Sequence, residues 1–117
     1  MRILITISGN NVSPRFDLTN EVLIADYPAQ EPGAKPRSIL LPRSSAEELC
    51  SLILKENITT VICGGIEENH YKYLNWKKIK VIDSVIGPYQ EALDLARTEH
   101  LTARAILPGA AAEVVSP

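Results

Sequence analysis

The hydrophobic positions change from a strand-like to a helix-like pattern near residue 45. Before that point, short apolar runs rich in β-branched residues alternate with segments of glycine, proline and asparagine, a pattern typical of strands and turns. Strands are predicted at residues 2–7, 21–27 and 37–41, with an extended loop over 8–19 and a long turn over 28–36. Prolines flank the third strand. Because proline suits the end of a strand or an edge strand, these prolines do not favour the centre of the sheet for it.

Helices dominate the pattern after residue 45. Ser45 followed by Glu48 fits a capping box at the start of a helix over residues 46–56. Apolar residues at helical spacing predict a second helix over 67–76. The pair Gly87-Pro88 predicts the start of a third helix, which continues to about residue 97, because proline is tolerated at the first helical position.

Two short apolar runs, residues 59–63 and 80–83, predict the strands between these helices. The order βββαβαβα indicates an α/β protein with a mixed five-stranded sheet covered on both faces, a three-layer α/β/α arrangement. This domain is expected over residues 1–103. The small and polar residues that follow predict a mobile C-terminal tail over 104–117, in which 105–107 could still contact the domain.

Composition narrows the functional classes. The 117 residues are 45% hydrophobic and 22% charged, as in an ordinary globular domain. Twelve lysines and arginines face fourteen acidic residues, so the basic excess of a duplex nucleic-acid binder is missing. No apolar run approaches the roughly 18–20 residues of a membrane span, and the first residues do not resemble a secretory signal, which predicts a cytoplasmic protein.

The two cysteines also limit the chemistry. Cys50 and Cys63 cannot supply the four thiolates of a structural zinc or iron–sulfur site from one chain. A domain of this size does not need a disulfide framework, so both thiols are expected to be reduced. Cys50 lies between helix positions Leu49 and Leu52 and is expected to pack against the core.

A candidate ligand site lies at one edge of the predicted sheet. In open α/β sheets, ligands bind outside the carboxyl ends of the parallel strands. Two turns reach this edge, residues 8–17 and Cys63-Gly64-Gly65-Ile66. The glycines would let the backbone approach a ligand and leave helix-start amides free, and Arg15 adds a permanent positive charge. These features predict an anion pocket with the Cys63 thiol and the nearby His70 imidazole.

Each of these features also has a purely structural explanation. A cysteine at a strand end is often a small buried hydrophobe, and two glycines can serve only to turn a strand into a helix. Glu67 and Glu68 already complement the helix dipole and would repel an anion. His70 would then be a solvated helix residue, and Asp17 would only orient Arg15.

Three segments resemble signatures of one family. Ser8-Gly9-Asn10-Asn11-Val12-Ser13-Pro14-Arg15-Phe16-Asp17 is similar to the opening signature of the dinitrogenase iron–molybdenum cofactor biosynthesis family, which includes NifX-like proteins and the C-terminal domain of NifB. Cys63-Gly64-Gly65-Ile66 resembles the second signature. The third signature is similar to three short segments of this chain, Val81-Ile82-Asp83, Ile86-Gly87-Pro88 and Glu91-Ala92-Leu93. The match runs in order from residue 1 to about residue 97.

The resemblance implies a ribonuclease-H-like fold that carries or hands over a metal–sulfur cluster. The implied cargo is an iron–molybdenum cofactor, its precursor or another molybdenum-containing sulfide cluster, and the implied partner is a cofactor-assembly or acceptor protein. The implied binding residues are Asn10, Asn11, Ser13, Arg15, Cys63, Gly64, Gly65 and Ile66, with Cys63 and His70 as metal ligands. Glu67 replaces a glycine of many relatives, and the radical-enzyme domain of NifB is missing, so this chain is not expected to build clusters.

Three functions are open to a chain with these residues. The first is a non-catalytic carrier, whose few soft ligands would allow release of an anionic cluster. The second is a regulatory or protein-interaction module without a cluster. The third is a metal-dependent nuclease, which would need converging carboxylates. The first predicted strand has none, and the spacing of Asp17, Asp26 and Asp83 does not bring them together.

Overall fold

A mixed β-sheet forms the middle layer of the structure, a computed structural model that describes residues 1–27 and 35–110. The strands in chain order are β1 (Arg2–Ser8), β2 (Asn11–Val12), β3 (Glu21–Asp26), β4 (Arg37–Leu40), β5 (Thr60–Ile62) and β6 (Lys80–Ile82). The main strands lie in the order β4-β3-β1-β5-β6, and β2 pairs with β1. Strand β3 is antiparallel to both of its neighbours, whereas β1, β5 and β6 are parallel.

The mixed sheet of five main strands is confirmed, with one addition. Strand β2 has only two residues and lies inside the segment that the sequence predicts as a loop. Two residues are too few to show the alternation by which a strand is predicted, because its period is two. The same segment contains a short 3-10 helix, Phe16–Leu18.

The α-helices that pack on the sheet are α1 (Ala46–Lys55), α2 (Glu68–Trp76) and α3 (Tyr89–Arg97), and residues 108–110 are also helical. Ser45 caps α1, because its side chain accepts a hydrogen bond from the backbone amide of Glu48. The reciprocal half of the predicted capping box is not formed, since the Glu48 carboxylate accepts from Arg43 instead. Helix α3 begins one residue later than predicted, because Pro88 has an extended backbone and is the N-cap.

Alternation along β1 separates two apolar layers. Leu4 faces a buried cluster that includes residues of α1 and α2, such as Leu49 and Leu74. Ile3 and Ile5 face the opposite side, where the cluster includes residues of α3. The helices therefore cover both faces of the sheet, and the predicted three-layer α/β/α arrangement is confirmed. No helix among the described residues combines the length and apolar character that a membrane crossing requires.

The first part of the expected tail lies against the domain. Leu107 is buried, and its backbone amide donates to the carbonyl of Ile86 at 2.9 Å. The amide of Ile86 in turn donates to the carbonyl of Ala105 at 2.9 Å, and the amide of Gly109 to the carboxylate of Glu91 at 3.0 Å. Residues 111–117 of the expected tail and residues 28–34 of the predicted long turn lie outside the described residues.

Candidate functional site

The loops that follow β1, β5 and β6 meet at the carboxyl edge of these parallel strands. The loop after β1 contacts the loop after β5, since Gly65 donates its amide to the carbonyl of Pro14 at 2.8 Å and Phe16 donates to the carbonyl of Gly65 at 2.8 Å. It also contacts the loop after β6, because Val12 donates to the carbonyl of Gly87 at 2.9 Å. The three signature segments of the sequence are therefore hydrogen-bonded to one another through their backbones.

A tight hairpin directs the first loop across this edge. The register pairs Ser8 with Asn11, which leaves the two-residue turn Gly9-Asn10 at the tip. Gly9 has φ +60°, the backbone conformation that a type II′ turn requires at its first central position and that glycine adopts without strain. The turn reverses the chain, so that residues 13–16, which we call the covering segment, run back over the end of β5.

Gly64 is required by the close approach of the covering segment. A Cβ atom at Gly64 would lie 2.6 Å from the carbonyl oxygen of Pro14 and still closer to that of Ser13. A Cβ atom at Gly65 would be 3.4 Å from the Pro14 oxygen, an ordinary contact. Both glycines are expected from the sequence to contact a ligand, but Gly64 serves backbone packing. The Gly65 amide, expected to be free, is bonded to the carbonyl of Pro14.

Arg15 presents its side chain at the surface, with 58% exposed. Its guanidinium donates to both carboxylate oxygens of Asp17, at 2.6 and 3.1 Å, so Asp17 orients Arg15 as the sequence suggested. The Asp17 carboxylate offsets the charge of Arg15, and Glu67 is exposed just before α2. The positive character of this edge is therefore weaker than the sequence predicted.

Cys63 is sealed in the interior, with no exposed surface, in the same apolar cluster as Leu4 and Phe16. Burial, together with the charge of Asp83, raises the pKa of Cys63 to about 12. The thiol is therefore protonated at neutral pH, and the thiolate is the form that binds metals. The expectation that Cys63 lines an open pocket is wrong for this conformation, because the covering segment closes the strand end.

His70 lies on the first turn of α2 and is partly buried, with its ring centroid 6.1 Å from that of Phe16. It lines a cavity of about 410 Å³ between α1 and α2 together with Cys50, whose predicted packing at the core is confirmed. Cys63 does not line this cavity. The two predicted metal ligands therefore do not face one opening, and the described residues contain no cluster of three or more His, Cys, Asp and Glu side chains that could hold a metal ion.

The acidic residues considered for nuclease chemistry do not all lie at one edge of the sheet. Asp26 forms an ion pair with Arg2 at 2.8 Å, at the opposite edge of the sheet from the loops. Asp17 is bonded to Arg15, and Asp83 follows β6. This placement does not provide the converging carboxylates that two-metal phosphodiester cleavage requires.

Ser84 is a residue of this edge that the sequence analysis did not single out. It has φ +58°, a left-handed conformation that is uncommon outside glycine, and its amide donates to the carbonyl of Gly64 at 2.8 Å. Its hydroxyl donates to the carboxylate of Asp83 at 3.1 Å. A serine at a strand end does not indicate a positive φ. The only sequence signal for Ser84 is its position after a strand, next to Asp83.

The buried thiol of Cys63 predicts a loss of stability at alkaline pH. Because the folded state favours the neutral thiol, this stabilisation is complete below the unfolded-state pKa of about 8.5 and is lost as the pH rises towards about 12. Urea unfolding of the reduced protein between pH 7 and 11 should therefore show that the free energy of unfolding falls less steeply with pH in Cys63→Ala than in the wild type. Burial and the charge of Glu47 raise the pKa of the Cys50 thiol to about 11, which is less than for Cys63. Cys50→Ala should therefore reduce the fall of the unfolding free energy with pH by a smaller amount. If the unfolding free energy falls equally steeply with pH in the wild type and in Cys63→Ala, the buried Cys63 thiol is not the cause of the alkaline loss of stability.

The sequence matches the family model described as "Dinitrogenase iron-molybdenum cofactor" over residues 1–99. No curated protein matches the chain at a significant level.

Several solved structures share the fold. The crystal structure of PH0822 has a TM-score of 0.74 and 20% identity, over 88% of this chain and 94% of that one. The NMR structure of a candidate NifB protein from Thermotoga, of the DUF35 family, has a TM-score of 0.67 and 16% identity, over 91% and 96% of the two chains. The crystal structure of a candidate dinitrogenase from Methanocaldococcus jannaschii has a TM-score of 0.67 and 24% identity, over 87% and 92%.

Proposed function

The chain belongs to the dinitrogenase iron–molybdenum cofactor family, and from that membership we propose that it is a non-catalytic carrier that binds an anionic metal–sulfur cluster and releases it to an acceptor protein. The cargo is the iron–molybdenum cofactor, a precursor of it or another molybdenum-containing sulfide cluster. The carrier function requires a site that is open to solvent, can attract an anion and holds few soft ligands.

The observation that carries this proposal is the convergence of the three signature loops at one sheet edge. Open α/β sheets bind ligands outside the carboxyl ends of their parallel strands, which is where these loops meet. Asn10, Arg15 and Gly65 are exposed on the loops. Since Arg15 pairs its backbone with Gly65 in a parallel bridge, the charged residue and the glycine turn lie side by side.

Arg15 is the residue that would attract the cluster. An exposed ion pair such as Arg15–Asp17 contributes only about 0–1 kcal/mol to stability, so the guanidinium can turn from the carboxylate to the cargo at little cost. Its planar group carries several donors that suit sulfide and oxo atoms. Asp17 then holds Arg15 ready in the empty protein.

The proposed soft ligands, His70 and Cys63, do not face one opening in the empty protein, and they differ in access. His70 is partly buried on the first turn of α2, whereas Cys63 would become a ligand only when the covering segment moves away from the end of β5. A carrier must release its cargo, so one accessible ligand and one covered ligand suit it better than a permanent set of thiolates.

The test is titration without oxygen, with isolated iron–molybdenum cofactor and with tetrathiomolybdate as probes. We expect one coloured complex per chain, and at least about tenfold weaker binding for His70→Ala and for Cys63→Ser, because loss of only a hydrogen-bond partner of a metal ligand already costs about 10–100-fold. His100→Ala is the matched control for His70→Ala, since it alters the same residue type away from the loops and from the cavity that His70 lines. If the double variant His70→Ala, Cys63→Ser binds as well as the wild type, the ligand assignment is wrong. If the wild type binds neither probe, the carrier function is wrong.

A second candidate function, a protein-interaction module without a cluster, is favoured by the outer face of α2. Trp76 has 73% of its surface exposed, its ring centroid lies 6.3 Å from that of Tyr73, and the Lys77 ammonium stands 4.6 Å from the Trp76 centroid. Exposed aromatic groups of this kind are typical of protein interfaces. Metal analysis of protein purified without oxygen separates the two functions, because the module would contain no molybdenum or iron.

A further inference from the structure

Buried polar atoms without partners concentrate at the carboxyl edge. In residues 1–27 and 35–110, three buried side-chain oxygens have no hydrogen-bond partner: Thr6 Oγ1, Asn11 Oδ1 and Glu48 Oε2. The first two belong to the β1–β2 hairpin. Thr6 is completely buried, and an unsatisfied buried hydroxyl costs roughly 1–3 kcal/mol, which a valine of similar shape would avoid. The hydroxyl at Thr6 therefore needs an explanation other than the stability of the empty protein.

Thr6 lies in a row with Cys63 and Asp83. The register pairs Ile5 with Ile62 and Ile62 with Ile82, and Thr6, Cys63 and Asp83 are the next residues of the three strands. Adjacent strands are about 4.8 Å apart, and paired residues point to the same face. We call these three residues the polar row.

Two observations place the polar row on the face covered by α1 and α2. Leu4, two residues before Thr6, and Val61, two residues before Cys63, belong to the apolar cluster that also contains Cys63. Val81, two residues before Asp83, belongs to the same cluster. Thr6, Cys63 and Asp83 therefore share one face of the sheet.

The covering segment closes most of the polar row. Ser13 donates its amide to the carbonyl of Thr6 at 2.8 Å, and Phe16 packs in the same cluster as Cys63. Asp83 is only partly buried, so the row reaches solvent at its Asp83 end. The row is thus a set of polar groups directly beneath the proposed cargo site.

We propose that the polar row is the inner part of the cargo site and that Thr6 is a positioning residue in it, whose hydroxyl donates a hydrogen bond to the sulfur held there when Cys63 binds a metal atom of the cluster. The inference rests on the proposed carrier function. As the sulfur–metal bond forms, the thiol proton leaves to solvent and the thiolate displaces one exogenous ligand from the metal. The bound state then supplies the acceptor that Thr6 lacks in the empty protein.

The chemistry of thiolate ligands explains the benefit of such a donor. Hydrogen bonds to a metal-bound sulfur orient the ligand, strengthen binding and raise the reduction potential of a cluster. A threonine hydroxyl has one O–H group that can donate a hydrogen bond. Valine has no such donor, although it fills nearly the same space.

The test compares Thr6→Val with Thr60→Val. Thr60 is a buried threonine on the adjacent strand β5, at the opposite end, where its hydroxyl contacts the sulfur of Met1 at 3.8 Å. We expect Thr6→Val to leave the empty protein as stable as the wild type or more stable. We also expect it to bind isolated iron–molybdenum cofactor about tenfold more weakly and to lower the reduction potential of the bound cofactor. Thr60→Val should bind the cofactor like the wild type, at an unchanged potential.

The possible outcomes separate this inference from the carrier function. If the wild type binds the cofactor and Thr6→Val binds it equally well at the same potential, only the role of Thr6 is wrong. A marked destabilisation of empty Thr6→Val would also overturn the inference, because the hydroxyl would then have a structural partner. If the wild type does not bind the cofactor, the carrier function and the inference that rests on it both fail.

Discussion

Replacing Gly64 with alanine should destabilise the protein by about 3 kcal/mol, the upper part of the usual range for overpacking a closed interior. The added Cβ atom would lie 2.6 Å from the Pro14 carbonyl oxygen and closer still to that of Ser13. Both atoms belong to the backbone, and the covering segment is tied to the adjacent Gly65 by two hydrogen bonds of 2.8 Å. The clash therefore has no flexible side chain to absorb it. Urea unfolding at pH 7 measures the loss directly.

Gly65→Ala is the matched control for this prediction. The same methyl group one residue later would meet the Pro14 oxygen at 3.4 Å, so its effect on the free energy of unfolding should be below about 1 kcal/mol. Neither Gly64 nor Gly65 has a positive φ, so alanine introduces no backbone strain at either position. Equal destabilisation by the two variants would show that the close approach of the covering segment is not what requires Gly64.

The elements of the fold were predictable because each has a local cause. Ser45 marks the start of α1 through a cap that its side chain makes three residues away, and Leu49 and Ile53 follow at helical spacing. The general rule for open α/β sheets also directed attention to the edge where the loops after β1, β5 and β6 meet, since it depends only on which strands are parallel. Short-range pattern was sufficient for these features.

The interior of the site was not predictable for the opposite reason. Whether Cys63 is open or sealed depends on where residues 13–16 cross the sheet, almost fifty residues away in sequence. The local sequence, a cysteine followed by two glycines, is the same whether the cysteine is open to solvent or sealed. Gly65 shows a related difficulty, because a free amide and one bonded to Pro14 have the same local sequence. Thr6 reads as an ordinary β-branched strand residue, and only the sheet register places it beside Cys63.

The sealed cysteine changes how the carrier function would work. An open thiolate at a sheet edge would bind metal ions indiscriminately, whereas a buried thiol whose pKa is raised to about 12 by burial and by Asp83 is inert until the segment above it moves. Binding of the cargo then requires the energy of uncovering, and return of the covering segment assists release. The stability of the covering segment, and the packing of Phe16 in particular, would then be a determinant of the proposed carrier function.

Phe16→Ala should lower the free energy of unfolding by about 3–5 kcal/mol and expose Cys63 to thiol reagents. Phe16 is among the largest completely buried side chains, with 1% of its surface exposed, and shares a cluster with Cys63. Its removal takes away most of the apolar contact that holds the covering segment down, because Ser13 and Arg15 contribute mainly backbone and polar bonds. In a Cys50→Ser background at pH 8, we expect Cys63 to react at least about tenfold faster than in the parent, consistent with several kcal/mol lost from a local opening.

Leu93→Ala separates local uncovering from general unfolding. Leu93 is 1% exposed and lies on α3, on the other face of the sheet, so its truncation should cost about 2–5 kcal/mol without touching the covering segment. If Cys63 reacts through local opening, the thiol should react faster in Phe16→Ala than in a Leu93→Ala protein of equal stability. Equal reactivity at equal stability would mean that reagents reach Cys63 only through global unfolding. In that case the covering segment would not be a separate opening unit, and a cluster could not reach Cys63 by the route proposed here.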